Sequence, residues 1–292
     1  MTPVRPAFHP SRRTVLRGLA ASMAAAALPG WAGTAKSTAS GLSVAVVPQF
    51  PAAESHRQWS PLLERLGRDT GLALKLRLQA SIPKFEIELL AGLHDIVFMN
   101  PYHLLMALEP QGYLPLVRNA RPLTGILVVR RESPARQVQD LHGQRLAFPA
   151  PNAFGASLWM RALLSEHEHL AFETLYAQTH SNVYRHVIRG EAAAGGGVNT
   201  TFAQEREEVR ADLRVIYETP DAASHPLCAH PRVPAPVRVA LTEALLALAQ
   251  DADGRSLLEP VFPALPVRAD LARDYRPLEK FKLGKYMVPS SP

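Results

Sequence analysis

The sequence predicts an α/β protein of two lobes, each a mixed or parallel sheet flanked by helices, joined by two interlobe crossings. Three observations predict it. Short β-branched runs alternate with amphipathic helical stretches along most of the chain, and such alternation gives parallel sheets with right-handed crossovers. The alternation comes in two sets, separated by polar segments. Once the N-terminal segment is set aside, about 255 residues remain, more than one typical hydrophobic core.

That N-terminal segment is read as lying outside the fold. Ser11-Arg12-Arg13-Thr14-Val15-Leu16-Arg17 has the twin-arginine form, Gly18 to Trp31 is alanine-rich and mildly apolar, and small-residue cleavage patterns follow at Gly30-Trp31-Ala32 and Gly33-Thr34-Ala35. Residues 1–35 are therefore expected to be a twin-arginine export signal and the product to be periplasmic. Pro29 and Gly30 interrupt the apolar run, which argues against an uncleaved anchor. Removing Arg5, Arg12, Arg13 and Arg17 leaves 28 basic against 26 acidic residues, a net of +2 in place of +6. A nucleic-acid partner loses its main support. Cys228 is the only cysteine, so no intrachain disulfide, no Cys-x-x-Cys and no lipid-bearing cysteine is expected.

Leu42–Val47 reads as a buried strand ended by Pro48–Pro51. Ser55 is expected to cap a helix carrying Trp59, Leu62, Leu63 and Leu66 and closed by Gly71. Strand Leu72–Leu78 follows. Ser81 starts a helix with Phe85, Leu89 and Leu90 on its apolar side, and strand Asp95–Met99 leads into helical Tyr102–Leu108. Leu123–Arg131 is a longer strand followed by polar Glu132–Gln139, and the first crossing is placed here. The second set runs as strand Arg145–Phe148, helix Phe154–Leu164, strand Thr174–Gln178, helix Ser181–Arg189, strand Ala192–Val198, a helix from Thr200 and strand Arg214–Glu218. Asp221–Ser224 crosses back, and helix Pro236–Gln250, extended by Asp251–Leu258, returns to the first lobe. The lobes are thus expected at 41–125, 126–222 and 223–292, the last including a tail rich in Pro and charge. No solenoid-length repeat is visible.

Ligands of open α/β sheets bind at the C-terminal ends of strands. The segments on those edges are Pro48–Phe50, Asn100–His103, Pro149–Ser157, His180–Asn182 and Asn199–Thr201.

At these residues the chain resembles a type II periplasmic solute-binding protein, and most of all the phosphate/phosphite/phosphonate-binding family of ABC importers. The resemblance spans nearly all of the chain after the export signal. It rests on the ordered set LLAGLHDIVFMNPYHLL, LAFPAPNAFGAS, THSNVYRHVIRGEAAAGGGV and VRVALTEALLALAQDADGRSLLEP. The resemblance implies an anion held at the start of the second-lobe helix. The Ser-Thr-Ser-like run common there stands as Asn152-Ala153-Phe154. The His after the next strand is His180, and the acidic residue that often holds an aminoalkyl group is Asn199.

Read from the residues, Asn152–Ser157 suits an anion on free backbone N–H groups, with Asn152, Ala153, Phe154 and Ser157 around it. The alternative is an ordinary helix start capped by Asn152. His180 and Ser181 are either donors to the same anion or a surface His beside a Ser cap. Asn100 and Tyr102, with Phe50, can cover the ligand from the first lobe, or Tyr102 can be structural. Gly195-Gly196-Gly197 lacks the Gly-Lys-Ser/Thr of a nucleotide loop. Glu166-His167-Glu168-His169 sits at a helix end, and His225 and His230 straddle Cys228 at a spacing that puts them on opposite strand faces. No metal and no cofactor is expected. No hydrolase or metalloprotease motif is present, so an enzyme is not expected. The reading is an exported substrate-binding protein of an ABC importer, with a small anionic solute and an inner-membrane permease as partners. The alternative is a sensory or accessory binding protein that docks on a sensor kinase or redox partner. A metal-dependent enzyme or metallochaperone through the histidines is a third reading.

Overall fold

The structure, a computed structural model, describes residues 41–289. The expected export signal, 1–35, lies outside the described residues. Eleven strands are described: β1 (Leu42–Val46), β2 (Leu74–Leu78), β3 (Ile96–Phe98), β4 (Leu114–Asn119), β5 (Gly125–Arg130), β6 (Arg145–Phe148), β7 (Glu173–Tyr176), β8 (Ala194–Val198), β9 (Leu213–Glu218), β10 (Pro226–Ala229) and β11 (Pro266–Arg268). They form a six-stranded sheet in the order β11-β4-β10-β3-β1-β2 and a five-stranded sheet in the order β7-β6-β8-β5-β9. Both are mixed. β1 runs parallel to β2 and β3, and β6 parallel to β7 and β8. β10 is antiparallel to β3 and β4, and β5 to β8 and β9.

The first crossing lies between β4 and β5, in residues 120–124, and this corrects its placement around Glu132–Gln139, which follows β5. The return lies between β9 and β10. The two crossings pair with each other. Leu123 bridges Ala222, Thr219 N–H donates to Gly125 O at 2.8 Å, and Thr124 Oγ1 donates to Asp221 Oδ1 at 2.6 Å.

Helix Ala52–Thr70 forms because Trp59, Leu62, Leu63 and Leu66 recur at helical spacing and all are buried, and Gly71 closes it at φ 70. Pro51 occupies its N-cap position, so Ser55 lies inside the first turns instead of capping them. Ser81 does cap helix Ile82–Leu90, accepting from Lys84 N–H. The helix after β6 begins as a π-turn, Phe154–Leu158, and continues as Trp159–Glu166. Fully buried Trp159 packs between Phe154, at 5.3 Å, and Phe281 of the tail, at 4.7 Å.

The largest core cluster joins the six-stranded sheet to Ala150, Ala153, Phe154, Ala156 and Trp159 of that turn, so the turn is packed from both sides. Its other side rests on β8. A methyl group at Gly196 would collide with the Ala156 carbonyl oxygen and lie 2.7 Å from Phe148 Cδ1. One at Gly125 would collide with the Gly155 carbonyl oxygen. Gly196 of β8 and Gly125 of β5 therefore let the turn sink onto the sheet, while Gly195 and Gly197 face Val183, Val187 and Tyr184 of the helix on the other side. None of the helices among the described residues is long and apolar enough to cross a membrane.

Candidate functional site

The C-terminal ends of β1, β3, β6 and β8 meet across one cleft. β10 runs the other way, so its leading residues reach the same edge. Met99 N–H donates to Pro226 O at 3.1 Å, and His225 stacks on Phe98 with ring centroids 5.6 Å apart. The halves touch directly where His180 N–H donates to the Gln49 carbonyl at 3.2 Å and Gln204 Nε2 donates to Pro260 O at 2.9 Å.

An inner compartment of about 260 Å³ is lined by Gln49, Asn100, Ala153, the Phe154-Gly155-Ala156 turn, His180 and His225. Ala153, Ser157 and Leu158 donate to the carbonyls of Ala150, Ala153 and Ala153. The N–H groups of Phe154, Gly155 and Ala156 have no acceptor among the described residues. These are the free donors of a helix start, at the positive end of its dipole.

His180 is 3% exposed. Its Nδ1 lies 3.1 Å from Thr201 Oγ1, which lies 3.1 Å from the Val198 carbonyl. A carbonyl only accepts, so Thr201 gives it the hydroxyl proton, and Nδ1–H of His180 donates to Thr201. The network thereby places a proton on Nδ1, and in the neutral ring that burial favours the lone pair is on Nε2, which has no partner among the described residues. Burial pushes His180 down to about 3. Burial, then the neighbouring His180 and His103, push His225 down to about 3 as well.

An outer compartment of about 580 Å³, part of it open to solvent, continues past Gln49 and His225. Phe50, Ser55, Gln58, Trp59, Phe98, Thr201 and Gln204 line it. No Asp, Glu, Lys or Arg lines either compartment.

Of the residues expected at the site, Phe50, Asn100, Ala153, Phe154 and His180 are brought to this cleft. Asn100 is a brace, its Oδ1 accepting from His103 N–H and its Nδ2 donating to Asn152 O. Five placements are corrected. Asn152 neither caps the helix nor faces the cleft. Its Nδ2 donates to Glu86 Oε2 at 3.0 Å and Val288 O at 2.8 Å, and its Oδ1 accepts from Val288 N–H. Ser157 Oγ accepts from Arg161 Nε one turn on. Ser181 donates to Glu205, and the helix cap is Thr179, so His180 is buried and not at the surface. Asn199 holds the first crossing through Pro122 O and Thr124 Oγ1. Tyr102 sets its hydroxyl beside Gly284 of the tail.

Gln49, Ser55, Trp59, Thr201 and His225 line the two compartments and are not among the site residues expected from the sequence. Gln49 sits in the Pro48–Phe50 edge segment, which was a visible signal. His225 is carried in by antiparallel β10, which the sequence pattern does not reveal. His230 lies past the other end of β10, edge-on to Tyr113. Among the described residues no cluster of three or more His, Cys, Asp or Glu could hold a metal ion.

The family model for phosphonate periplasmic substrate-binding proteins of ABC transporters matches residues 44–275. No curated protein matches the chain. Among solved structures, PhnD1 of Prochlorococcus marinus MIT 9301 in complex with methylphosphonate is similar with a TM-score of 0.76 and 14% identity, over 84% of this chain and 98% of that one. A binding-protein component of an ABC phosphonate transporter from Pseudomonas aeruginosa matches with a TM-score of 0.73 and 13% identity, over 84% and 86%. A Xanthomonas citri protein bound to a chloride ion matches with a TM-score of 0.68 and 18% identity, over 84% and 99%. These likenesses show a shared type II binding-protein fold.

Proposed function

Because the chain belongs to the phosphonate periplasmic substrate-binding proteins of ABC transporters, we propose that its cleft captures a small oxyanion of the phosphonate class and presents it to an inner-membrane permease. One observation carries the reading. Three free N–H groups, of Phe154, Gly155 and Ala156, and the unpartnered Nε2 of buried His180 line one compartment between the two sheets. Backbone donors at a helix start attract the anion without a lysine or arginine. Gln49 and Asn100 belong to the opposite half, so a ligand touches both halves only when they are closed and shifts the population toward closure.

The neutral His180 sets which protonation state is held. A lone pair on Nε2 accepts the hydroxyl proton of a monoanionic phosphonate, or takes that proton and pairs with the dianion. Either way the complex holds one proton that a free dianion lacks. Above the ligand's second ionisation, binding of methylphosphonate should take up about one proton, and affinity should fall about tenfold per pH unit. Calorimetry in buffers of different ionisation enthalpy reads this directly. At about 100-fold its Kd, the ligand should also raise stability by about 2.7 kcal/mol. If methylphosphonate, phosphite and phosphate all give no heat and leave the melting temperature unchanged, the reading fails.

We also propose export by the twin-arginine route, on the basis of Arg12 and Arg13. Arg12→Lys with Arg13→Lys should leave precursor in the cytoplasm. Fractionation showing normal periplasmic yield of that variant would point to the general secretion route.

A further inference from the structure

The outer compartment has a chemistry of its own. It opens from the inner one at Gln49 and His225 and is the larger, about 580 Å³ against about 260 Å³. A phosphonate head on the turn would therefore leave room beyond it on this side. Trp59 and Phe98 wall the compartment and are almost fully buried, at 3% and 7% exposed. The two rings pack on each other with centroids 5.0 Å apart, and beside them on the lining stand neutral polar groups without a protein hydrogen-bond partner. The Ser55 hydroxyl, on a residue 4% exposed, has no hydrogen-bond partner among the described residues. The Gln49 side-chain amide and the His225 ring have none either. Buried hydroxyls and amides are normally satisfied, and those left open inside a cavity mark where a ligand's polar group completes them.

Charge is missing from the same walls. No carboxylate lines the compartment to pair an ammonium, and no lysine or arginine lines it to pair a second acid. The nearest charged side chains, Glu54, Arg57, Arg121 and Glu259, line the adjoining open depression, which meets this compartment at Gln58, Thr200 and Gln204, and not the compartment itself. An ammonium group beside Trp59, Phe98 and Ser55 would find no counter-ion on these walls, and the ring faces offset only part of its desolvation.

Resting on the anion reading above, we infer that this protein selects organophosphonates whose substituent is uncharged and carries a hydroxyl or similar neutral hydrogen-bonding group. Ser55 and Gln49 read that group, and Trp59 packs on the carbon chain. Ser55 can do so because Pro51, and not Ser55, occupies the helix N-cap.

The test is calorimetric titration of the purified protein with ethylphosphonate, 2-hydroxyethylphosphonate and 2-aminoethylphosphonate. The hydroxyethyl compound should bind about five- to tenfold tighter than the ethyl one, the worth of one added hydrogen bond. The aminoethyl compound should be weaker than the hydroxyethyl one by at least about tenfold. Ser55→Ala should bring the hydroxyethyl-to-ethyl ratio close to one. Ser55→Asp places an acid in the first turns of a helix, where the dipole tolerates it, and should reverse the order of the hydroxyethyl and aminoethyl compounds. A hydroxyethyl compound no tighter than the ethyl one, or an aminoethyl compound that matches it, overturns the inference and leaves the anion turn standing. Absence of binding by all three and by methylphosphonate removes the anion reading as well, so the two failures are distinct. The wild-type series decides the matter by itself if either variant fails to fold.

Discussion

Gly196→Ala is expected to lower affinity for methylphosphonate by roughly a hundredfold in a protein that still folds. The added methyl has nowhere to go. It would collide with the Ala156 carbonyl oxygen on one side and stand 2.7 Å from Phe148 Cδ1, with Cε1 at 3.0 Å, on the other. Phe148 is fully buried at the end of β6 and cannot swing away. The turn must lift from the sheet, and with it the free N–H groups of Phe154, Gly155 and Ala156. Losing one or two charge-assisted hydrogen bonds of about 1.5–3 kcal/mol each gives the stated change. Overpacking of this kind lowers stability by about 1–3 kcal/mol, less than a domain's usual margin. Circular dichroism checks folding and calorimetry checks binding. A folded Gly196→Ala protein that keeps its affinity within a few-fold would show that the turn does not hold the anion.

The same glycine run shows what the sequence made legible. From sequence, Gly195-Gly196-Gly197 can mean either a close backbone approach or a bent strand, and no approaching partner is legible. That partner, the Ala156 carbonyl, lies forty residues earlier and reaches β8 only through the sheet order. Elements with their own signal were readable: β1, β3 and β6 are short buried runs, and helix Ala52–Thr70 carries a clear apolar stripe and a glycine stop. β4, β10 and β11 were not. Leu-Pro-Leu-Val-Arg-Asn, Pro-Leu-Cys-Ala and Pro-Val-Arg are short, each contains proline, and none has a period of two over useful length. They are strands because neighbours hold them, β10 between β3 and β4, and β11 on β4. Missing β10 meant missing His225. The family pattern pointed to the turn after β6 and to His180, since both follow strands that are legible, and both line the cleft. It could not say where each side chain points. Asn152 stands in the anion-binding run of the family pattern and turns away from the cleft, because a buried carboxyl group on the opposite half claims its amide.

That buried contact sets the second large effect: Asn152→Asp should destabilise the protein far more than Asn152→Ala. Glu86 is 1% exposed and His103 0%, and the Glu86 carboxyl meets His103 Nε2 at 2.8 Å and Asn152 Nδ2 at 3.0 Å. The second amide contact of Asn152 reaches the tail at Val288 O. Alanine removes these bonds and lowers stability by about 2 kcal/mol, the usual effect of leaving buried partners unsatisfied. Aspartate removes the donor and sets a second carboxylate against Glu86 and against a carbonyl oxygen. At an effective dielectric near 20, like charges about 4 Å apart repel by about 4 kcal/mol. One of the two carboxyls should therefore hold a proton in the folded state, its affinity for that proton raised above the unfolded value. The folded state then binds more protons than the unfolded state near neutrality, so stability rises as the pH falls from 7 toward 5. Asn152→Ala has no such term. Urea melts of both variants at pH 7 and pH 5 separate them, and proteolysis should clip the freed tail near Val288 in each. Because Asn152 joins the β6 turn to a helix of the other sheet, both variants should also bind methylphosphonate more weakly, through a less populated closed form and with no contact to the ligand lost. An Asn152→Asp protein as stable as the wild type at pH 7 would mean that the two halves are not tied through Glu86.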